Sequence, residues 1–598
     1  MPTINQIIHR LLPAGTTISQ APEAPFEASW TVCPFFAPDL FAVVATLVNL
    51  SGCYAHPAVN DDESGHGTIL EDGPDAQPDY ALRVAELGAI WANDKRTDAD
   101  KRRLRKQLDF LWKELTGAGA DEVAQPLPDE LPRHWAAAIE LLAVADRASK
   151  GVGFINPSAE MSKLMVKRHY HWAEEDKTSP LMGLNKSQRR RLTSTLCLLV
   201  PPEECCVQPK GRTPQVGCTL RSLSHNLALL PPAGEVTTCY RARAQPIERS
   251  TANVLLVPFP YAIGDGDISF HVIEIDEGLG RFTMRRQSWM PSADTAATAT
   301  LFADFLDGLV DAAQKSSGEP VHAVVLPEQS LSLEVADKVA AILAAKQKSL
   351  EAFIAGVLVE PAGKRRLPGN RVLVRLFHEG VTKGYWQQPK HHRWRLTDQQ
   401  AASYGFKPDV PDLSWWEGID VTNRQVYVGQ LHTGGIFTCL VCEDLARIEP
   451  VHSIVRAIGP SLIVALLFDG PQLKTRWAAH AMAGLVEDPG ASVLSLTSLA
   501  PAYRWWENKR DRAAAMDGVQ VGLWRDCTMA DAEELKLKKG QHALLLPLKM
   551  KYVTERTLDR RSDDGNAQVV TKRSAVLPIA HPAPPTWLTM PPWSLDHP

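Results

Sequence analysis

Residues 321–360, VHAVVLPEQSLSLEVADKVAAILAAKQKSLEAFIAGVLVE, decide the fold class. The segments VHAVVLPE and AFIAGVLVE are short apolar runs that predict buried strands. Between them, SLEVADKVAAILAAKQ has the apolar spacing of an amphipathic helix. Strand, helix and strand in succession are typical of an α/β layered domain rather than of a helical bundle or an all-β sandwich.

The same alternation continues on both sides of this stretch. Before it, NVLLVPFPYAI and ISFHVIEI predict strands and TATLFADFLDGLVDAAQKS predicts a helix. After it, NRVLVRLF, GVQVGLWRDC, HALLLPLKMKYVTERTL and AQVVTKRSAVLPIA predict strands, with SDDGN as a hairpin turn. We therefore place an α/β domain at residues 248–598, ending in extra strands and a Pro-rich tail.

The chain before this domain has a different texture. Leucines recur at spacings of four and three in one segment, which predicts a helix that ends at Gly117; they are Leu104, Leu108, Leu111 and Leu115. We expect a mainly helical N-terminal domain at residues 1–165. Residues 166–247 are punctuated by Pro, Thr, Gly and Cys, and predict an irregular connecting region.

Length and composition set the class of protein. A chain of 598 residues exceeds the ~250–300 residues of a single core, so it should contain more than one domain. The net charge of -5 with dispersed basic residues does not demand a nucleic acid or an anionic membrane as partner. Ten cysteines are too few for a disulfide scaffold, and the apolar runs are shorter than the ~20 residues of a membrane span. We expect a cytoplasmic protein.

Three predicted strand ends carry residues suited to acyl transfer. They are Glu328 in VVLPEQS, Lys390 after GYWQQP and Cys442 in FTCLVCEDL. A cysteine thiolate can attack a carbonyl or nitrile carbon, and a glutamate can take the thiol proton and later activate water. A lysine can stabilise both the thiolate and the oxyanion.

These motifs resemble the nitrilase, or carbon-nitrogen hydrolase, superfamily, whose αββα sandwich carries a Glu-Lys-Cys triad. LPEQS, QPKHHRW and CLVCEDL resemble its three motifs, and the last is similar to the cysteine elbow in the glutaminase domains of NAD synthetases. AIGPSLIVALLFDGPQLKTRWAAHAMA resembles the segment that follows the family's cysteine. The resemblance covers about residues 250 to 585. It implies a nitrilase-like αββα sandwich over about residues 250–598, with Glu328, Lys390 and Cys442 as the catalytic residues.

Further candidates follow from the resemblance and from the residues around it. The family often has a second glutamate, for which Glu417 in WWEGIDV is the best match, although a surface acid is an equal alternative. Trp394 either stacks on a planar substrate or packs beneath a long loop. Glu443 and Asp444 are expected to shape the turn and the start of a helix in LARIEPVHSIVRAIG. Lys383 is a rival to Lys390.

The pattern CLVC leaves one alternative to be weighed. Residues three apart in a strand point to opposite faces, so Cys439 and Cys442 are poorly placed to act together. No second CxxC accompanies them, which disfavours a zinc or redox site. We expect no metal and no cofactor.

The leading prediction is a hydrolase that cleaves an amide or nitrile through a thioester. One alternative is an accessory or assembly protein with little or no hydrolase activity, similar to nitrilase-like domains joined to reverse transcriptases of bacterial anti-phage defence. A third hypothesis is an N-acyltransferase that uses the same triad. We expect a small amide or nitrile substrate, a homo-oligomer formed through the sandwich face, a protein partner for the N-terminal domain and no membrane; nucleic acid binding stays open.

Overall fold

The computed structural model describes residues 2–16, 28–56, 80–93, 95–124, 131–152, 195–201, 204–230, 236–241, 249–274, 278–284, 287–361, 367–406, 408, 410, 413–508 and 517–591. Within these ranges the chain is a mixed α/β structure with a helical region at its N-terminus, as predicted. Among the helices described, none has the length and apolar character that crossing a lipid bilayer requires.

The N-terminal region is a cluster of helices. Its members are α1 (Ile4–Leu11), α2 (Ala37–Ser51), α3 (Tyr80–Ala92), α4 (Asp98–Gly117) and α5 (Arg133–Ala148). Helix α5 lies at the centre, because it contacts α2, α3 and α4. The predicted leucine stripe of α4 is buried in this core, which explains its spacing. A short hairpin of β1 (Cys206–Pro209) and β2 (Leu227–Leu230) packs against α2.

The larger sheet contains the strands that the sequence predicts most clearly. Its members are β4 (Thr251–Leu256), β7 (Ala323–Ser332), β8 (Ala352–Val359), β9 (Gly369–His378), β10 (Val381–Pro389), β19 (Ala543–Val553), β20 (Ala567–Lys572) and β21 (Leu577–Ile579). They pair in the order β10-β9-β8-β7-β4-β19-β20, and β21 lies beside β19. Helix α7 (Leu333–Lys346) covers β7, β8 and β9, and α6 (Thr295–Ser317) packs on α7.

A second large sheet faces the first. Its members are β3 (Thr237–Arg241), β13 (Gln425–Gln430), β14 (Ile436–Val441), β15 (Leu462–Leu467), β16 (Ser492–Thr497), β17 (Val519–Arg525) and β18 (Glu533–Leu537). They pair in the order β18-β17-β16-β15-β14-β13-β3. Helices α10 (Trp477–Glu487) and α11 (Leu499–Asn508) contact β17, and α10 also contacts β16.

The two sheets contact each other through their inner faces, so helices and sheets form four layers. Strand β7 meets β15 and β16, β9 meets β14, and β10 meets β13. Gln388 of β10 joins the sheets directly, because its Nε2 donates to the carbonyl of Cys439 and its Oε1 accepts from the amide of Tyr427 at 2.9 Å. Such a buried amide fixes the register of the two sheets, since a slip would leave its polar atoms unsatisfied.

A small sheet lies at one end of the sandwich. Its strands are β5 (Ile268–Glu274), β6 (Leu279–Met284), β11 (Arg395–Leu396) and β12 (Ser414–Glu417), paired in the order β11-β12-β6-β5. Helix α8 (Asp398–Ser403) follows β11, and α9 (Ser453–Ile458) follows β14 after two irregular turns. The helix predicted in LARIEPVHSIVRAIG is therefore reduced to α9, because Pro450 has no N–H to donate and Glu449 is extended, with φ -102° and ψ 149°.

The connection between β19 and β20 ties the sandwich to the helical region. Arg561 of this connection is buried, lies 2.7 Å from Asp559 and 3.8 Å from Asp146 of α5, and donates to the carbonyl of Leu223. The hydroxyl of Tyr80 in α3 donates to Asp559 at 2.9 Å. A buried guanidinium with these partners holds the two regions in one arrangement.

Candidate active site

Glu328 lies inside β7, where the strand is irregular, and not at the strand's end. The pairing of β7 with β8 shifts in register between Leu326 and Leu331, and Gln329 has φ of 54°. A Cβ at Gly356 in β8 would stand 2.3 Å from Glu328 Cα, so the bulge requires glycine opposite it. This irregular turn places the Glu328 side chain in the interior, where it is 1% exposed.

Lys390 follows directly after β10 and is also 1% exposed. Its Nζ donates to Glu328 Oε1 at 2.9 Å and to Glu417 Oε2 at 2.6 Å. Its backbone amide donates to the carbonyl of Asn370 in β9 at 2.9 Å, which fixes the start of the segment after β10. The structure thus brings together three residues that lie 62 and 27 positions apart in the chain.

Glu417, at the end of β12, is buried and is not the surface acid that the sequence also allowed. Besides Lys390, it accepts from Gln329 Nε2 at 3.2 Å and from the backbone amide of Trp394 at 3.1 Å. Asn370 Nδ2 bridges the two carboxylates, at 2.6 Å from Glu328 Oε1 and 3.0 Å from Glu417 Oε1. These contacts hold both carboxylates in fixed positions around one ammonium group.

Burial and charge set the protonation of this cluster. Burial raises the pKa of Glu328, Lys390 opposes this, and the charge of Glu417 raises the pKa further, so the net shift is upward. Burial on its own would lower the pKa of Lys390, but Glu328 and Glu417 raise it well above its ordinary value. Lys390 therefore carries its proton at neutral pH, and Glu328 accepts a proton more readily than a solvated glutamate does.

Cys442 is the first residue after β14 and begins a short 3-10 turn, Cys442–Leu445. Its φ of 46° lies in the left-handed region, which costs a non-glycine residue conformational energy and is frequent at functional sites. Burial, followed by the charge of Glu328, raises the pKa of the thiol well above its usual range, and Lys390 lowers it. At rest the group is consequently a neutral thiol within the electrostatic reach of Glu328 and Lys390.

Asp444 connects the turn after Cys442 to the segment after Lys390. Its carboxylate accepts the backbone amides of His391 at 3.1 Å and His392 at 3.0 Å, and also meets Nδ1 of each ring at 3.1 and 2.9 Å. Burial would raise the pKa of Asp444, but His391 and His392 lower it well below the usual range. This carboxylate therefore fixes the lysine and cysteine segments relative to each other.

A second polar cluster adjoins the thiol at the end of β15. Asp469 accepts from Arg476 Nη2 at 3.0 Å and from Trp477 Nε1 at 3.0 Å, and the Tyr404 hydroxyl donates to the same carboxylate. The charge of Asp469 contributes to the raised pKa of Cys442. Arg476 and Trp477, both in the segment that resembles the one after the family's cysteine, thus hold an acid whose charge acts on the predicted nucleophile.

A pocket opens beside the cluster of carboxylates. Glu328, Lys390 and Glu417 line it together with Gln329, Thr283 and apolar side chains. Its volume is about 440 Å³, which includes space open to solvent. Cys442 is 3% exposed and does not form part of the lining.

The remaining sequence candidates fall in different places. Trp394 lines the pocket and packs edge-on against Phe282 at 5.8 Å and Tyr404 at 5.7 Å between ring centroids, and its stacking on a substrate stays a prediction. Glu443 pairs with the exposed Arg447 and does not contact the carboxylate cluster through any described hydrogen bond. Lys383 is exposed on the edge strand β10, away from the buried cluster.

Sequence reasoning did not identify Asn370, Gln329 or Asp469. Asn370 stands at the start of the apolar run NRVLVRLF, where a polar residue in a buried strand is a signal. Gln329 directly follows the predicted base, but its left-handed backbone is not visible in the sequence. Asp469 comes just after the buried run SLIVALLF, which is the same strand-end signal that drew attention to Glu328 and Cys442.

Comparison with known proteins gives no assignment by sequence, since no family model matches and no curated protein matches. Among solved structures, the chain is similar to Saccharomyces cerevisiae Nit3, described as a member of branch 10 of the nitrilase superfamily, with 14% identity over 43% of this chain and 79% of that one and a TM-score of 0.25. It is also similar to the C. elegans NitFhit protein, with 12% identity over 42% of this chain and 52% of that one and a TM-score of 0.26. TM-scores this low carry no argument about activity.

Proposed function

We propose that this chain is a carbon-nitrogen hydrolase of the nitrilase type, which cleaves an amide or nitrile through a thioester on Cys442. The proposal is carried by one observation: a buried lysine is held between two buried carboxylates, within electrostatic reach of a thiol on a left-handed turn. Two acids and an adjacent thiol make an arrangement suited to moving protons.

In the acylation step, Glu328 takes the proton of the Cys442 thiol as the sulfur attacks the carbonyl carbon of the amide. The carbonyl oxygen becomes an oxyanion, which the ammonium of Lys390 stabilises. When the tetrahedral intermediate collapses, the C–N bond breaks and Glu328 returns the proton to the leaving nitrogen. The products of this step are ammonia or an amine and a thioester on Cys442. A nitrile adds the thiol to form a thioimidate, which takes up one water and releases ammonia to give the same thioester.

In the deacylation step, Glu328 takes a proton from water, and the resulting hydroxide attacks the thioester carbon. The C–S bond then breaks, the carboxylic acid leaves and the thiol of Cys442 regains its proton. The upward shift of the Glu328 pKa supports this double role, because it makes the carboxylate a better proton acceptor than a solvated glutamate. Glu417 and Asn370 keep Lys390 and Glu328 in position throughout.

The experiment is ammonia release from a panel of primary amides and nitriles, measured for the wild type and for Cys442→Ala, Glu328→Gln and Lys390→Met. Lys383→Met is the matched control, since this lysine is exposed on the same strand that leads to Lys390. We expect the three site variants to lose at least ~100-fold in rate and the control to keep its rate. Turnover by Cys442→Ala at the wild-type rate would refute the proposal.

A second candidate function is favoured by the burial of the thiol. Cys442 is 3% exposed and does not line the adjoining pocket. A site this closed also suits a protein that keeps the cluster for stability and acts through a partner. If no amide or nitrile is cleaved and the site variants still recover the same co-purifying partner as the wild type, this second function replaces the first.

A further inference from the structure

The pocket beside Glu328 and Lys390 has a mainly apolar lining. Phe282 and Met284 reach it from β6, Leu358 from β8 and Phe468 from the end of β15. Trp394 adds an aromatic ring whose position is fixed by its packing against neighbouring rings. An apolar lining binds hydrocarbon groups because their transfer from water is favourable, and it gives no compensation for a charge that loses its hydration.

The charges at the pocket also disfavour a negatively charged substrate. Among the described residues that line the pocket, Lys390 supplies the positive charge. Its ammonium group already donates to the carboxylates of Glu328 and Glu417. The formal charges of Glu328, Glu417 and Lys390 sum to -1. A substrate with a free carboxylate next to the scissile bond would therefore meet repulsion that the described lining does not offset.

Gln329 supplies the specific polar feature of the pocket. Its Nε2 donates to Glu417 Oε1 at 3.2 Å. A carboxylate only accepts hydrogen bonds, so the side-chain amide of Gln329 directs its NH₂ group at Glu417 and its Oε1 away from it. This Oε1 is buried, in a residue that is 7% exposed, and among the described residues it has no hydrogen-bond partner. A buried acceptor without a donor is costly, and it is resolved if a ligand brings the donor.

From these observations, and resting on the hydrolase function proposed above, we infer that the site takes a primary amide with an uncharged, apolar acyl group, whose N–H donates to Gln329 Oε1. The amide nitrogen is the leaving group, so this hydrogen bond holds it next to Glu328, which precedes Gln329 in the chain and delivers its proton. A nitrile or an ester has no N–H to offer at this position. Gln329 thus separates amides from these other acyl donors.

The test compares three substrates that differ at one group. Butanamide has both features, succinamate replaces its methyl group by a carboxylate, and methyl butanoate replaces its NH₂ by a group without N–H. For the wild type we expect butanamide to be cleaved at least ~100-fold faster than succinamate, because an unpaired charge would have to be buried. In Gln329→Met, which keeps the length but loses the acceptor, we expect the ratio of butanamide to methyl butanoate hydrolysis to fall by at least ~10-fold.

The control variant is Gln287→Met. Gln287 Nε2 donates to the backbone carbonyl of Gln329 at 2.8 Å, so this change loosens the turn and keeps the side-chain acceptor. The amide-to-ester ratio should stay at the wild-type value in this control. Equal cleavage of succinamate and butanamide, or an unchanged ratio in Gln329→Met, overturns the inference and leaves the hydrolase function standing. The hydrolase function is tested separately with the panel of amides and nitriles, and turnover of that panel by Cys442→Ala at the wild-type rate overturns both proposals.

Discussion

Replacing Lys390 by methionine removes the counter-ion of two buried carboxylates, Glu328 and Glu417. At the N–O distances of 2.9 and 2.6 Å, each contact is worth about 6 kcal/mol of Coulomb energy at an effective dielectric constant of ~20. The desolvation of the ammonium and the repulsion between the carboxylates offset much of this gain. We therefore expect Lys390→Met to lower the free energy of unfolding by ~3–5 kcal/mol near pH 8.

The same variant should acquire a characteristic pH dependence. Burial and the charge of Glu417 already raise the pKa of Glu328, and without Lys390 no cation of the cluster opposes them. A carboxyl whose pKa is higher in the folded state contributes stability that is fully present below the unfolded pKa of ~4.3 and is lost as the pH rises through the folded pKa. The deficit of Lys390→Met should thus grow from about pH 5 to pH 8, by at most ~1.4 kcal/mol per pH unit for each proton involved.

Urea unfolding at about pH 5, 6.5 and 8 measures this deficit, with tryptophan fluorescence and circular dichroism as separate probes so that transitions of different regions are distinguished. Lys383→Met is the control and should change the free energy of unfolding by less than ~0.5 kcal/mol. A deficit of Lys390→Met below ~1 kcal/mol at pH 8, or one that shrinks as the pH rises, would refute the buried ion cluster.

Gly356→Ala should lower the free energy of unfolding by at least ~2 kcal/mol and abolish activity, because its Cβ would stand 2.3 Å from the backbone of the neighbouring strand. The control is Gly117→Ala, whose Cβ meets open space and which should be neutral or stabilising in the same urea titration. Asp444→Asn should lower the free energy of unfolding by ~2–3 kcal/mol, because buried donors lose their partner. Glu443→Gln should lower it by less than ~1 kcal/mol, because Glu443 pairs with an exposed arginine. Equal costs would contradict the role of Asp444 as the connection between two segments. Arg561→Met should cost ~3–5 kcal/mol and speed limited proteolysis between the helical region and the sandwich; an unchanged cleavage pattern would count against that interface.

The sequence predicts those parts of the fold whose signal is local. The helix at Leu333–Lys346 and the strand at Ala352–Val359 appear where their periodicity places them, since a continuous apolar run and a 3.6-residue stripe each bury one surface. The helix expected after Cys442 is broken, although the proline that breaks it was visible in the sequence. Propensity alone did not reveal that the turn would stay irregular on both sides of Pro450.

The site shows the same division between local and long-range information. Glu328 and Cys442 were identifiable because a polar residue directly after an apolar run is a local signal. Asn370 and Gln329 were not, since their importance comes from hydrogen bonds to Glu417, which lies 47 and 88 positions away. Such contacts depend on the three-dimensional arrangement of the sheets, and a single sequence carries no direct record of it.

Alkylation of Cys442 by iodoacetamide near pH 7, followed by peptide mapping, tests the proposed nucleophile most directly. The exposed thiols of Cys218 and Cys527 are internal standards in the same sample. If Glu328 takes the thiol proton as the sulfur attacks, Cys442 should react at least ~10-fold faster than Cys439, which is buried to a similar degree, and Glu328→Gln should slow Cys442 without affecting Cys439 or the two standards. Reaction of Cys218 and Cys527 while Cys442 stays unmodified would contradict a catalytic thiol at this position.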